Sequence, residues 1–264
     1  MFVSCYTGAM DVWLEIVSFL FGLIVGSFLN VVIYRYNTGA GGWRIYNGRS
    51  RCLACNRSLR WFELIPVFSY IWQGGRCRRC GSAISAQYPL VELATGFLFV
   101  AIVGQSVTWL AAALAAIIWS LLVVITVYDL RHQIIPDGLV YAASVAAALL
   151  AASEGRLPSA LLAALGLSAF FAALWYFSGG RWMGFGDAKL ALTVGLLLGP
   201  TRGISAMVLA FWLGAVVGLL LIILSRFAGR SRSYTMKSEL PFAPFIILGT
   251  ALTFFAEINV FTLF

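Results

Sequence analysis

Long apolar runs separated by short polar segments account for most of the chain, at roughly residues 12–33, 89–103, 108–127, 138–152, 158–177, 186–199, 203–225 and 241–257. Runs near 20 residues match the length at which a helix crosses a bilayer. The pattern predicts an all-α polytopic membrane protein with about eight transmembrane helices. Two runs are short: 186–199 gives about 14 residues, or roughly 21 Å, against a hydrocarbon core of about 30 Å. The run after Asp137 is similar. Short spans would set the acidic residues at their starts into a low-dielectric cleft open to water from one face. Between the first two runs the chain is polar and Gly-rich at Gly39 to Gly42. The expected organisation is a first transmembrane helix (1–35), a cytoplasmic module (36–88) and a membrane-embedded core (89–264).

Composition agrees with this. The chain is 61% hydrophobic and 11% charged, where a soluble domain is about half apolar and a quarter charged. No cleavable signal peptide is expected, because the first apolar run is too long and no small-residue cleavage site follows it. A formal charge of +8 raises the question of nucleic acid, but its distribution answers it. If the first span exits into the cytoplasm, 16 of the 18 basic residues lie on that side and only Arg156 and Arg202 on the other. This is the positive-inside pattern, and anionic headgroups attract the same residues. Both termini then face outward and the bilayer, not nucleic acid, is the partner.

The polar module carries Cys52, Cys55, Cys77 and Cys80, two Cys-x2-Cys pairs with 21 residues between them. That spacing fits a closed, structural four-thiolate zinc site; a catalytic zinc would keep an open position. Two disulfides are the alternative, disfavoured in a reducing cytoplasm. Cys5 lies alone on the other side. Between the pairs, Leu59 to Tyr70 is apolar and aromatic and is expected to pack on the membrane face rather than read a groove.

Of four aspartates, Asp129 and Asp187 fall at one membrane depth on one face. Ionisable groups there mark function or pairing. One reading is ordinary ion pairs, Asp187 with Lys189 or Arg181 and Asp129 with Arg131 or His132. The other is a carboxylate pair sharing a proton, one group accepting from a water while its partner donates to a scissile carbonyl. Gly184 and Gly186 are expected to permit unusual backbone conformations and a close substrate approach. Asp137, between Pro136 and Gly138, is expected to be a helix N-cap. Small residues at Gly22, Gly26, Gly214 and Gly218 suggest close helix packing. Glu92 is expected to pair with an arginine of the cysteine loop. A scaffold without chemistry and an ion transporter using the Asp pair are the competitors. A transporter predicts midplane carboxylates and inverted repeats, and the sequence shows neither.

Several motifs in order resemble those of the bacterial type IV prepilin peptidases, the leader peptidase/N-methyltransferases that also serve type II secretion. They are Gly26-Ser27-Phe28-Leu29-Asn30, both cysteine pairs, Glu63-Leu64-Ile65-Pro66-Val67-Phe68-Ser69-Tyr70 and Tyr88-Pro89-Leu90-Val91-Glu92-Leu93. Further on come Asp129 with Ile135-Pro136-Asp137, Gly184-Phe185-Gly186-Asp187-Ala188-Lys189, and Pro241-Phe242-Ala243-Pro244-Phe245, with Ala where the family often has Gly. The resemblance implies an aspartyl membrane protease with Asp129 and Asp187 catalytic. It implies cleavage of prepilin and pseudopilin leaders after a Gly at the cytoplasmic face of the bacterial inner membrane. It also implies N-methylation of the new terminus with S-adenosylmethionine. No methyl-donor residues are assigned, no Rossmann-type fingerprint being visible; a peptidase without methyl transfer is the alternative.

Overall fold

The computed structural model of the chain describes residues 8–36, 48–227 and 241–262. Cys5, the stretch from Gly39 to Gly42, Arg44, Arg230, Arg232 and Lys237 lie outside the described residues. The helices are α1 (Gly8–Arg35), α2 (Phe68–Trp72), α3 (Gln87–Gln105), α4 (Trp109–His132), α5 (Asp137–Ser153), α6 (Leu157–Ser178), α7 (Phe185–Phe227) and α8 (Ala243–Phe255). Five of them (α1, α3, α4, α6 and α7) are long and apolar enough to cross a membrane, and α5 and α8 are shorter apolar helices. The chain forms two compact units, one ending at Val124 and the other beginning at Ile125.

In the first unit α1 and α3 meet through small residues. A Cβ on Gly26 would stand 2.7 Å from Glu92 Cα, and one on Gly22 2.8 Å from Gly96 Cα. Only glycine lets the backbones come this close, so these glycines serve packing within the unit. The loop ends of the two helices are tied by Asn30, whose Nδ2 donates to Tyr88 O (3.1 Å) and whose Oδ1 accepts from Gln87 Nε2 (3.4 Å).

In the second unit a Cβ on Gly195 would collide with the backbone of Ala163 and Ala164, and one on Gly249 with that of Ala206. These contacts fix α7 against α6 and α8. Gly214 faces the rings of Phe242 and Phe245. A buried Ser144–Thr193 hydroxyl pair (2.8 Å) joins α5 to α7. The sequence predicts separate spans at 186–199 and 203–225, and the structure runs them together as α7 with a break at Gly199 (φ 75°, ψ −169°) followed by Pro200. Pro200 has no N–H to offer the carbonyl four residues back, which belongs to Leu196. Arg156 supplies the missing donor, its Nη1 bonding Leu196 O at 3.1 Å.

Candidate active site and cysteine cluster

Asp129 and Asp187 come to one place from helix ends. Asp129 lies in the last turn of α4, buried, and the backbone N–H of Ala243, the first residue of α8, bonds its carboxylate. Its Oδ2 is buried without a hydrogen-bond partner. Asp187 lies buried in the first turn of α7, its carboxylate bonded by the Gly184 N–H. Each carboxylate therefore meets a helix N-terminus, where free N–H groups and the helix dipole favour negative charge. The two carboxylates are near enough to repel one another electrostatically.

The ion pairs among the described residues leave both aspartates out. Lys189 turns instead to Asp137 (Nζ–Oδ1 2.7 Å), lying also over the rings of Phe185 (5.2 Å) and Tyr141 (6.0 Å). Asp137 is thus no N-cap: Pro136 occupies that position, no side-chain cap bond forms, and Asp137 opens α5 as the acid of an ion pair. Gly186 faces Ile135, to which an added Cβ would come within 2.9 Å. A Cβ on Gly184 would meet nothing closer than 3.9 Å. Neither glycine has positive φ, so their expected backbone role is corrected: Gly186 is small for packing, while Gly184 leaves open space beside Asp187.

The four module cysteines are free thiols whose Sγ atoms all lie within 4.8 Å of one another. Cys52 and Cys80 Sγ are 3.8 Å apart, the edge of a tetrahedron with metal–sulfur bonds of about 2.3 Å. The two pairs sit on matching turns. Cys52 N–H donates to Arg57 O and Asn56 N–H to Cys52 O; Cys77 N–H donates to Ser82 O and Gly81 N–H to Cys77 O, all at 2.9 Å. Asn56 (φ 55°) and Gly81 (φ 70°) take the left-handed position, and single antiparallel bridges, Arg51 with Ser58 and Arg76 with Ala83, close each turn. N–H groups of Cys55 and Ala54 pull the Cys52 thiol down to about 6, and the Ser82 side chain and backbone lower that of Cys80. The donor set and its spacing fit a closed metal site.

Residues 20–106 match the model for the bacterial peptidase A24 N-terminal domain, and residues 116–219 that for the type IV leader peptidase family. A prepilin leader peptidase/N-methyltransferase of Aeromonas salmonicida is 33% identical over 260 residues, covering 87% of this chain and 86% of that protein. The chain belongs to the type IV leader peptidase family. Others of the same name are 33% identical in Bacillus subtilis (89% of this chain, 92% of that one) and 35% identical in Myxococcus xanthus (86% and 68%). No solved structure matches the chain. As a type IV leader peptidase with several membrane-length helices it is a multi-pass membrane protein, and its N-terminal match contains the cysteine cluster while the second contains both aspartates.

Within this leader peptidase, sequence reasoning selected the two aspartates but missed the backbone donor Ala243 and the Lys189–Asp137 tie. The first has a local signal, since Pro244 stands next to Ala243 at a helix start. The second joins residues 52 apart in the chain, which no local pattern reveals. Glu92, expected to pair with an arginine, instead accepts the Val67 N–H at 2.7 Å.

Proposed function

We propose that Asp129 and Asp187 are the catalytic pair of an aspartyl endopeptidase that removes the leader from membrane-inserted prepilins and pseudopilins. The observation that carries this is the placement of two buried carboxylates within electrostatic reach of one another, neither matched by a cation among the described residues. Such a pair is held by sharing one proton. The ionised member takes a proton from water as its oxygen attacks the scissile carbonyl, and the protonated member donates to the carbonyl oxygen. Collapse of the tetrahedral intermediate breaks the C–N bond, and the leaving amine takes up a proton. The open side of Gly184 is where the extended substrate backbone would lie.

The basic-residue bias supports a cytoplasmic placement of the site in the bacterial inner membrane, with cleavage after Gly just ahead of the substrate's apolar helix. Cys52, Cys55, Cys77 and Cys80 would hold one structural zinc, which cross-links the module without an open position for chemistry. Methyl transfer from S-adenosylmethionine to the new N-terminus is inferred from the names of the relatives. The described residues contain no strand–turn–helix unit of the Rossmann kind.

The test is leader cleavage of a prepilin by full-length variants in membranes. Asp129→Asn and Asp187→Asn should each lose at least about 10²-fold in rate, the scale of acid–base catalysis. Asp137→Asn should lose far less. Full activity in both of the first two variants would remove the pair from the mechanism.

A further inference from the structure

The segment between the cysteine pairs has no part in the proposed chemistry, yet it exposes the largest apolar side chains of the module. Trp61 is 79% exposed, Ile71 70% and Trp72 68%, with Phe68 exposed beside them. Phe68 and Trp72 contact each other one helical turn apart (5.4 Å between centroids), and Ile71 lies on the same side of α2.

The position of this face follows from one hydrogen bond. Val67, which immediately precedes α2, adopts φ 60°, ψ −51°, and the Phe68 N–H reaches back to Pro66 O. This is a γ-turn of the rare positive-φ kind, strained for a β-branched residue. It is held by Glu92, whose Oε2 accepts the Val67 N–H at 2.7 Å. Glu92 is buried and stands more than one turn inside α3, about 7.5 Å along the axis from Gln87 at ~1.5 Å per residue. The turn is thus tied to the flank of a membrane-length helix, and α2 begins at the next residue. Its exposed apolar side chains therefore stand close to a helix long and apolar enough to cross a bilayer. The charge agrees: residues 48–86 hold seven arginines and one carboxylate, Glu63. That carboxylate is already engaged by Arg57 and the Arg60 N–H, while Arg51, Arg60, Arg76, Arg78 and Arg79 are exposed.

We infer that α2 and the turn before it form a bilayer anchor. Phe68, Ile71 and Trp72 seat at the headgroup–acyl boundary of an anionic leaflet, and the module's exposed arginines bind lipid phosphates. The anchor fixes the cysteine module against the membrane surface through a third point besides its two chain connections.

Full-length protein in nanodiscs containing phosphatidylglycerol with a diazirine near the carbonyl end of one acyl chain tests this. Mass spectrometry should find lipid adducts on the peptide spanning 61–72 as well as on α3. The double variant Ile71→Glu, Trp72→Glu should lower the 61–72 adducts at least fivefold with α3 labelling unchanged. Should that variant fail to fold, Arg60→Gln with Arg79→Gln takes its place. There the ratio of adducts from phosphatidylglycerol to those from an equally labelled phosphatidylcholine should fall at least twofold. Labelling of α3 without labelling of 61–72 would overturn the inference, as would yields indifferent to these substitutions. Adducts that disappear when a prepilin is added would assign the face to substrate instead.

Discussion

Gly184 and Gly186 stand two residues apart beside Asp187, yet the chain needs them for different reasons. A Cβ at Gly186 would press on Ile135 at 2.9 Å, and over-packing of this kind costs about 1–3 kcal/mol unless the neighbour gives way. Gly186→Ala should therefore lower thermal stability and cleavage together, and pairing it with Ile135→Ala should restore much of both. Gly184 has room for a methyl group, so Gly184→Ala should leave stability unchanged while reducing cleavage through a blocked substrate approach. A fall in melting temperature for Gly184→Ala would place its role inside the fold. The two carboxylates were legible in the sequence because acids are scarce at membrane depth. The division of labour between the glycines was not, since it depends on which surface each one faces.

At the scale of elements, α5 and α7 are clamped where the candidate site is built. The clamp joins the Lys189–Asp137 pair with the Gly186–Ile135 contact. Asp137 is more than half exposed, so the ion pair itself contributes little to global stability, on the order of 0.2–1 kcal/mol. Its leverage is positional: Lys189 is two residues from Asp187. Lys189→Met should lower the cleavage rate about tenfold with little change in melting temperature, and the exchange Lys189→Asp with Asp137→Lys should recover part of it. A double-mutant cycle on cleavage rates should then give a coupling of about 0.5–3 kcal/mol; additive effects would show that the two residues act separately. The sequence misplaced Asp137 because Pro-Asp-Gly before an apolar run has the look of a cap, while its partner lies far along the chain. By contrast the break at Gly199 was legible from a Gly-Pro pair inside an apolar run, and the cysteine turns from a repeated offset: Asn56 and Gly81 each stand four residues past the first cysteine of their pair.

At the scale of the molecule, the aspartates and the cysteine cluster belong to different compact units. The second unit has its own core, with Ala163 and Ala164 against Gly195, and Phe171 stacked on Phe211 at 5.9 Å. The Asp129 and Asp187 carboxylates take their backbone donors from Ala243 and Gly184 of that same unit. The cysteine module has little regular structure of its own, since α2 has five residues and each cysteine turn is closed by a single bridge. Metal analysis of the wild-type protein should find about one zinc per chain. Cys77, the most buried of the four cysteines, is the position where loss of a thiol leaves the least room for water to substitute. Cys77→Ser should therefore lose the zinc and open the module while the second unit stays folded. If methyl transfer needs the ordered module and cleavage needs only the aspartate unit, prepilin given to this variant should accumulate as cleaved, unmethylated pilin. Mass spectrometry of the product N-terminus separates that species from the methylated one by a single methyl group. Equal loss of both activities would show that the module also shapes the site of cleavage, by presenting the substrate to the Asp129–Asp187 pair.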